Sequence, residues 1–228
     1  MKKVVVISLG GSLIISEKVN FEFLDNLKKI LRKNYGKYKF VIVCGGGSVA
    51  RKYIYLLEKE NKSRIELSKA GIRATRSNAQ LMMQFFGKEA NDKLPLNMVQ
   101  VKDNLHKNSV VFCGALRFTK NSTSDTTAAK LAHFLNSLFI NLTNVKGLYS
   151  SDPRKNKDAK FIPYISWKDF EKMANKIKYK AGQHFVLDQN ASHLIRKNKI
   201  LAYIIGENII NLQNVLEGKK FLGTLIKD

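Results

Sequence analysis

Short apolar runs that end on glycine or on a small polar residue constrain the fold of this chain more than any other feature. VVVISL at 4–9 is followed by two glycines, KFVIVC at 39–44 by three, SVVFC at 109–113 by Gly114, and SLFINL at 137–142 by Thr143. Runs of this length that are rich in β-branched residues are typical of strands buried on both faces of a parallel sheet. We therefore expect these four runs to lie in one sheet.

Amphipathic segments separate the runs. Residues 20–34 carry apolar side chains at helical spacing, and further helices are predicted after the three glycines, over 72–86 and from Asp125 onward. MVQVK at 98–102 alternates apolar and polar residues and is predicted to be a short strand, whereas residues 61–70 give no prediction. The tail continues the alternation in SWKDFEKMA, HFVLDQNASHLIRK, ILAYIIG, NIINLQNVLEG and GTLI. This order predicts an α/β fold with helices on both faces of a mostly parallel open sheet.

The chain is strongly basic. Its 228 residues include 40 Lys and Arg against 18 Asp and Glu, a formal net charge of +22. A potential of this sign attracts nucleic acids, anionic lipids and phosphorylated metabolites alike. Because the lysines are scattered, as in LKKILRKNYGKYK, we interpret the excess as a solvated surface that binds nucleic acid only nonspecifically.

Cysteine content and apolar run length indicate the compartment. Cys44 and Cys113 lie far apart and outside any zinc-ligand spacing, so both are interpreted as buried thiols. VVVISLGGSLII is too short and too glycine-broken for a secretory signal, and no run approaches the ~20 apolar residues of a membrane span. A cytoplasmic protein without a membrane segment is expected.

The ends of the predicted strands point to a ligand site. In an open parallel sheet the carboxyl ends of the strands share one edge, where ligands of α/β proteins bind. Glycines at 45–47 remove every Cβ between a strand and a helix, so backbone N–H groups can approach an anion there, and Arg51 follows one turn into the helix. A bare tight turn explains three glycines equally well, and neither GxxxxGK[ST] nor GxGxxG is present.

Five motifs of the chain resemble the amino-acid kinase superfamily, and within it the archaeal type of uridylate kinase. They are LGGSL, GGGSVARKYI, TSDTTAA, TNVKGLYSSDP and KAGQHFVLD. GIRATRSNAQLM also resembles a helix of that group. The resemblance implies a three-layer αβα sandwich in one domain, residues 1–228, with about 1–135 mainly on the acceptor side and about 136–228 mainly on the ATP side. It further implies transfer of the ATP γ-phosphoryl group to UMP, with Mg²⁺, in pyrimidine nucleotide synthesis, by a homo-oligomer expected to be a hexamer.

The resemblance also assigns site residues, all named by their positions in this sequence. The catalytic candidates are Arg51 and Asp125. ATP-binding candidates are Gly11, Ser12, Gly47, Arg51, Thr143, Asn144, Tyr149 and Asp152. UMP-binding candidates are Gly46, Ser68, Gly114, Thr123 and Ser124. No protein ligand for a metal is predicted.

Structural explanations compete with some of these roles. Asp125 can simply cap its helix, which is worth about 1 kcal/mol. Tyr149 can be a packing aromatic, Asp152 a turn residue before proline, and Ser12 the cap of a loop.

Three positions depart from the pattern of the superfamily. Ser8 stands two residues before the first glycine pair, where many members carry a lysine, and Lys146 stands in place of an acid. We hypothesise that Lys146 supplies the missing positive charge. Ser68 replaces an acid expected to hold the acceptor ribose, and a neutral hydroxyl binds more weakly than a carboxylate. The loop 115–124 is also longer than usual, which puts uridine selectivity in question.

Two alternatives to UMP phosphorylation therefore stay open. One is a kinase of the same fold that acts on another small phosphorylated or carboxylated acceptor. The other is a non-catalytic nucleotide-sensing or nucleic-acid-binding protein, which the charge of +22 would favour.

Overall fold

A computed structural model describes residues 2–118, 122–176 and 186–228 of the chain. The strands are β1 (Lys3–Leu9), β2 (Tyr38–Cys44), β3 (Val110–Cys113), β4 (Leu138–Leu142), β5 (Leu148–Tyr149), β6 (Phe161–Ile162), β7 (Tyr164–Ile165), β8 (Ala202–Ile205) and β9 (Gly223–Ile226). The helices are α1 (Gly11–Ile14), α2 (Phe21–Asn34), α3 (Gly47–Lys59), α4 (Arg64–Phe86), α5 (Met98–Lys107), α6 (Ser124–Phe134), α7 (Trp167–Asn175), α8 (Gln189–Lys197) and α9 (Ile210–Glu217).

Seven strands form one sheet in the order β3-β2-β1-β4-β8-β9-β7. The first five are parallel, and β9 runs antiparallel to β8. β1 lies between β2 and β4, so that Ser8 is level with Val43 on one side and Asn141 on the other. The chain runs from β1 through β2 to β3 at the edge and then crosses to β4 on the other side of β1, and this switch opens a crevice at the carboxyl ends of β1 and β4. The predicted α/β fold is confirmed, including the four glycine- or threonine-closed strands.

Alternate residues of each central strand enter two separate cores, which is why the runs are apolar throughout. Ile7 and Ile42 pack with α1, α2, α4 and α9 on one face of the sheet. Val6 and Val41 pack with α5, α6, α7 and α8 on the other face. Helices therefore cover both faces, and the architecture has the three layers that were expected.

The predicted strand at 98–102 is wrong, because these residues begin α5. Asn97 caps the helix by accepting a hydrogen bond from the Gln100 N–H at 2.9 Å, and Val101 and Leu105 are buried one turn apart. Five alternating residues fit either structure, and the cap favours the helix. Residues 61–70, which gave no prediction, contain Ser63, whose capping box with Glu66 begins α4.

Other details agree with the sequence. The helix predicted over 20–34 is α2, and both cysteines are buried. Of the segment HFVLDQNASHLIRK, the described part becomes helical only from Gln189, with Asp188 as its cap. No helix among the described residues is long and apolar enough to cross a membrane.

One buried side chain completes the edge strand β3. The Asn91 amide accepts from the Phe112 N–H at 2.7 Å and donates to the Phe112 carbonyl at 3.1 Å, in the manner of a neighbouring strand. Asn91→Ala should lower the free energy of unfolding by about 2 kcal/mol, since it leaves two buried backbone groups unpaired. Urea denaturation measures this loss, and Asp92→Ala, at the exposed next residue, is the control. Equal stability of the two variants would contradict the assignment.

Candidate active site

A cleft of about 1580 Å³ opens at the carboxyl edge of the sheet. This volume exceeds the ~300–1,000 Å³ of a typical small-molecule site. Within the described ranges, four acidic side chains line the cleft (Glu58, Asp125, Asp152 and Asp188), against six basic ones (Arg51, Arg117, Lys130, Arg154, Lys155 and Lys176). The cleft is large enough for two small ligands and favours anions.

Two glycine loops meet backbone to backbone at the floor of the cleft. A Cβ on Gly11 would lie 2.2 Å from the Gly47 nitrogen and 2.5 Å from the Gly45 carbonyl oxygen. Gly47 also has φ of +58°, a conformation that glycine adopts without strain. The Asn78 amide holds the second loop by donating to the Gly45 carbonyl at 2.7 Å. The glycines thus do more than turn the chain, because no residue with a side chain fits between the loops.

Arg51 lies one turn into α3, is partly buried and lines the cleft. Burial lowers the pKa of its guanidinium, and the positive charge of Arg154 lowers it further. Two cations that repel each other across a cleft are stabilised when an anion binds between them. This placement suits an anionic ligand.

Asp125 is hydrogen-bonded to the central strand instead of capping its helix. Thr123 is the cap of α6, accepting from the Asp125 N–H at 3.1 Å, and the Ser8 hydroxyl donates to Asp125 Oδ1 at 2.6 Å. Burial raises the pKa of the Asp125 carboxyl to about 7, with the negative charge of Asp188 as a second cause, while the hydrogen bond from Ser8 opposes the shift. Asp125 is partly exposed at the cleft wall. The simple capping interpretation is therefore wrong.

Asp188 is a site residue that the sequence interpretation missed. It is 1% exposed and accepts hydrogen bonds from Thr123 N–H and hydroxyl at 2.9 and 2.6 Å, from Thr126 N–H and hydroxyl at 3.2 and 2.6 Å, and from Ala191 N–H at 2.8 Å. One carboxylate thus holds the first turns of both α6 and α8. An aspartate before a helix signals the cap of α8, but its contact with α6 is long-range and leaves no local pattern.

The loop after β4 forms another wall. Tyr149 lines the cleft and its ring also contacts Phe161 edge to face, with centroids 5.4 Å apart. Asp152 lines the cleft while pairing with Arg154, Oδ1 to Nε at 3.1 Å. Both residues therefore fill the structural role considered for them and also face the ligand space. Lys146 is exposed and is not among the residues lining the cleft, although its chain neighbours Val145 and Gly147 are, so its compensating role stays a hypothesis.

Not all of the UMP-binding candidates line the cleft. Ser68, on α4, lines the cleft as expected. Gly114 does not line it: a Cβ there would lie 2.7 Å from the backbone of Thr75 and Arg76, so this glycine serves the approach of β3 to α4. Thr75 and Arg76 then hold the following loop, the Thr75 hydroxyl accepting from Ala115 N–H at 2.9 Å and Arg76 donating to the Leu116 carbonyl at 2.7 Å.

Apart from Gly114, every candidate named from the sequence lines this one cleft. These residues are Gly11, Ser12, Gly46, Gly47, Arg51, Ser68, Thr123, Ser124, Asp125, Thr143, Asn144, Tyr149 and Asp152. Ser12 lies within α1 and is not a loop cap. Of the motif KAGQHFVLD, residues 180–185 lie outside the described ranges, as do 119–121 of the loop 115–124.

Comparison with known proteins identifies this arrangement. The model of the amino acid kinase family matches residues 3–206. The chain belongs to the amino acid kinase family. It is 32% identical over 217 residues to a uridylate kinase of Pyrococcus abyssi, which covers 94% of this chain and 96% of the relative. The crystal structure of uridylate kinase from Archaeoglobus fulgidus is 31% identical, with a TM-score of 0.83 over 99% of this chain and 100% of that chain.

A more distant structure supports the fold alone. UMP kinase from Ureaplasma parvum is 22% identical, with a TM-score of 0.78 and full coverage of both chains (100% and 100%). The predicted membership of the family and the predicted fold are thereby confirmed. The division of residues 1–135 and 136–228 into acceptor and ATP sides stays a prediction.

The contact between the glycine loops can be tested without any ligand. Gly11→Ala should lower the melting temperature by several degrees, because the added methyl group meets backbone atoms that cannot rotate away. Gly36→Ala is the matched control, since a Cβ there has nothing within 4 Å. Thermal unfolding followed by circular dichroism compares the two variants. A Gly11→Ala protein as stable as the Gly36→Ala protein would contradict the close contact.

Proposed function

We propose that this protein is a UMP kinase that transfers the γ-phosphoryl group of ATP to UMP, giving UDP, in cytoplasmic pyrimidine nucleotide synthesis. The observation that carries the proposal is the convergence of the two glycine loops and Arg51 in a cleft large enough for two nucleotides. Relatives named uridylate kinase that match nearly the whole chain support it.

The chemistry suits these residue types. Phosphoryl transfer between two phosphates needs both anions held in line and their charge neutralised, and no base has to remove a proton from the acceptor. Backbone N–H groups at the glycine loops and the Arg51 guanidinium supply donors and positive charge. Catalysis here rests mainly on positioning and electrostatics.

The two nucleotides have separate walls in this proposal. ATP lies along Gly11, Ser12 and Gly47 and against the loop that carries Thr143, Asn144, Tyr149 and Asp152. UMP lies along Gly46, Ser68, Thr123 and Ser124. Arg51 lies between the two groups and serves the transferred phosphoryl group.

Mg²⁺ fits this site as an ion carried by the nucleotide. Among the described residues no group of three or more His, Cys, Asp or Glu side chains could hold a metal ion. The oxygens of Asp188 are already occupied by five hydrogen-bond donors. A magnesium ion bound to phosphate oxygens and water matches this donor set, and it supplies further charge neutralisation.

The assembly proposed from the family resemblance is a homo-oligomer, with a hexamer expected. Tyr53, Tyr55 and Leu56 of α3 are exposed by 50%, 62% and 62%. Apolar side chains of this size on one helix are consistent with a contact between copies.

The positive charge of the chain is proposed to bind nucleic acid only nonspecifically.

A second candidate keeps the fold and the ATP site but changes the acceptor. Ser68 favours it, because a neutral hydroxyl stands at the cleft wall where an acid was expected. The acceptor would then be another nucleotide or a small phosphorylated or carboxylated metabolite. A purely sensing or nucleic-acid-binding role predicts no turnover with any acceptor.

The first test is ADP release with ATP and Mg²⁺ across UMP, CMP, AMP, GMP and dUMP, with Arg51→Ala beside the parent protein. We expect preference for UMP and a loss of about a hundredfold in kcat/KM for the variant, because one well-aimed charged donor contributes about 3 kcal/mol. Lys52→Ala, at the exposed next residue, should behave as the parent. Absence of turnover with all five acceptors in a folded, ATP-binding protein would move support to another acceptor or to a sensor.

Ser68 generates a separate prediction about the acceptor. Ser68→Ala should raise the KM for UMP about fivefold and leave the KM for ATP unchanged, since it removes one neutral hydrogen bond from the acceptor side only. Steady-state kinetics with each substrate varied in turn measures both constants. Lys69→Ala, at the exposed neighbouring position, is the control. An unchanged KM for UMP would exclude a contact between Ser68 and the acceptor.

A further inference from the structure

Two hydroxyls and two carboxylates meet where α6 begins, and their protons can be counted. The Thr123 hydroxyl oxygen lies 2.6 Å from Asp188 Oδ2 and 3.3 Å from Asp125 Oδ2. A hydroxyl has a single hydrogen to donate. The shorter distance assigns this hydrogen to Asp188, so the Thr123 oxygen, which also accepts from the Asp125 N–H at 3.1 Å, turns its remaining lone pair toward Asp125 Oδ2.

The same count applies to Ser8. Its one hydrogen points to Asp125 Oδ1 at 2.6 Å. Oδ2 therefore faces an oxygen that has no hydrogen left for it. Two acceptor oxygens at this distance repel each other unless one carries a proton. Because five donors surround Asp188, the proton belongs on Asp125 Oδ2.

The elements packed around Asp125 bring no cation to its carboxyl among the residues that the structure describes. β1 presents Ser8, which is 2% exposed, and β4 presents Asn141, whose amide donates to the Val186 carbonyl. α8 is preceded by the negative Asp188. Lys130, on α6 itself, stands five residues on, about 140° around the helix, and has an interaction of its own.

We propose that Asp125 keeps its proton in the working site and donates it as a hydrogen bond to an oxygen of the transferred phosphoryl group, with Ser8 as the positioning residue for the carboxyl. The inference rests on the proposed kinase function. An ionised Asp125 at the cleft wall would repel the phosphoryl group, whereas the neutral acid binds it.

The proton stays on Asp125 throughout the reaction. The bond between the γ-phosphorus and the oxygen bridging to ADP breaks, and a bond to a UMP phosphate oxygen forms, so no proton has to leave or arrive. The pKa of about 7, raised by burial and by Asp188, agrees with this charge state, and the negative charge of bound phosphates raises the pKa further.

Asp125→Asn tests the charge state directly, since the amide keeps the shape and a donor but cannot ionise. We expect a moderate loss of kcat at pH 6 for Asp125→Asn, and a loss of about a hundredfold for Asp125→Ala, which has no donor. As pH rises above about 7, Asp125 of the free parent protein ionises, so the ratio of kcat/KM for Asp125→Asn to kcat/KM for the parent should rise about tenfold per pH unit. Because both proteins act on the same substrates, the effect of substrate ionisation on the rate cancels in the ratio.

Two further variants, one at Ser8 and one at an exposed aspartate, test the role of the hydrogen bond and control for the chemical change. Ser8→Ala removes a hydrogen bond that stabilises the ionised carboxyl, so the alkaline limb of the parent profile should move to higher pH. A Ser8 that only packs would leave the limb in place. Asp103→Asn makes the same chemical change at an exposed residue of α5 and should leave rate and pH profile unchanged.

The result that overturns the proposal is an Asp125→Asn protein as inactive as Asp125→Ala at every pH, because a carboxylate would then be required. A second readout needs no turnover. The infrared difference spectrum of parent minus Asp125→Asn at pH 6 should contain the C=O band of a protonated carboxylic acid. If that band is present while UMP is not phosphorylated, the proton assignment stands and the kinase function fails. If only carboxylate bands appear, the proton assignment fails whatever the activity.

Discussion

The direct backbone contact of Gly11 with Gly45 and Gly47 is the constraint on which the site depends. It joins the ends of β1 and β2, two adjacent parallel strands of the sheet, at the floor of the cleft. α3 begins at Gly47 and carries Arg51 into the cleft, while Asn78 of α4 holds the Gly45 carbonyl. A side chain at the contact would separate these elements and the anion site with them.

Much of this arrangement is readable in the sequence because it is local. Apolar runs closed by glycine identify buried parallel strands, and parallel strands bring their ends to one edge. That is enough to bring Gly11, Gly47 and Thr143 together without knowledge of the helices between them. The strand order also explains why motifs distant in the chain line one cleft.

The rest depends on contacts between distant residues, which leave no periodic signal. α5 was misread because five alternating residues cannot outweigh a cap, and the contact of Gly114 with α4 was not predicted because α4 is remote in sequence. Asp188 looks like an ordinary helix cap until its bonds to Thr123 and Thr126 are seen. The protonation of Asp125 likewise follows from distances that no motif contains.

Asp188 has a consequence for the spacing of two helices beside the cleft. The same buried carboxylate caps α8 and binds the first turn of α6, which the proposal places beside the acceptor. Separating the first turns of these helices would break the four hydrogen bonds that Thr123 and Thr126 donate to Asp188. The first turns of α6 and α8 are therefore held at a fixed distance from each other. One side chain thus sets the spacing of two helix starts, so loss of Asp188 would loosen α6 and α8 together.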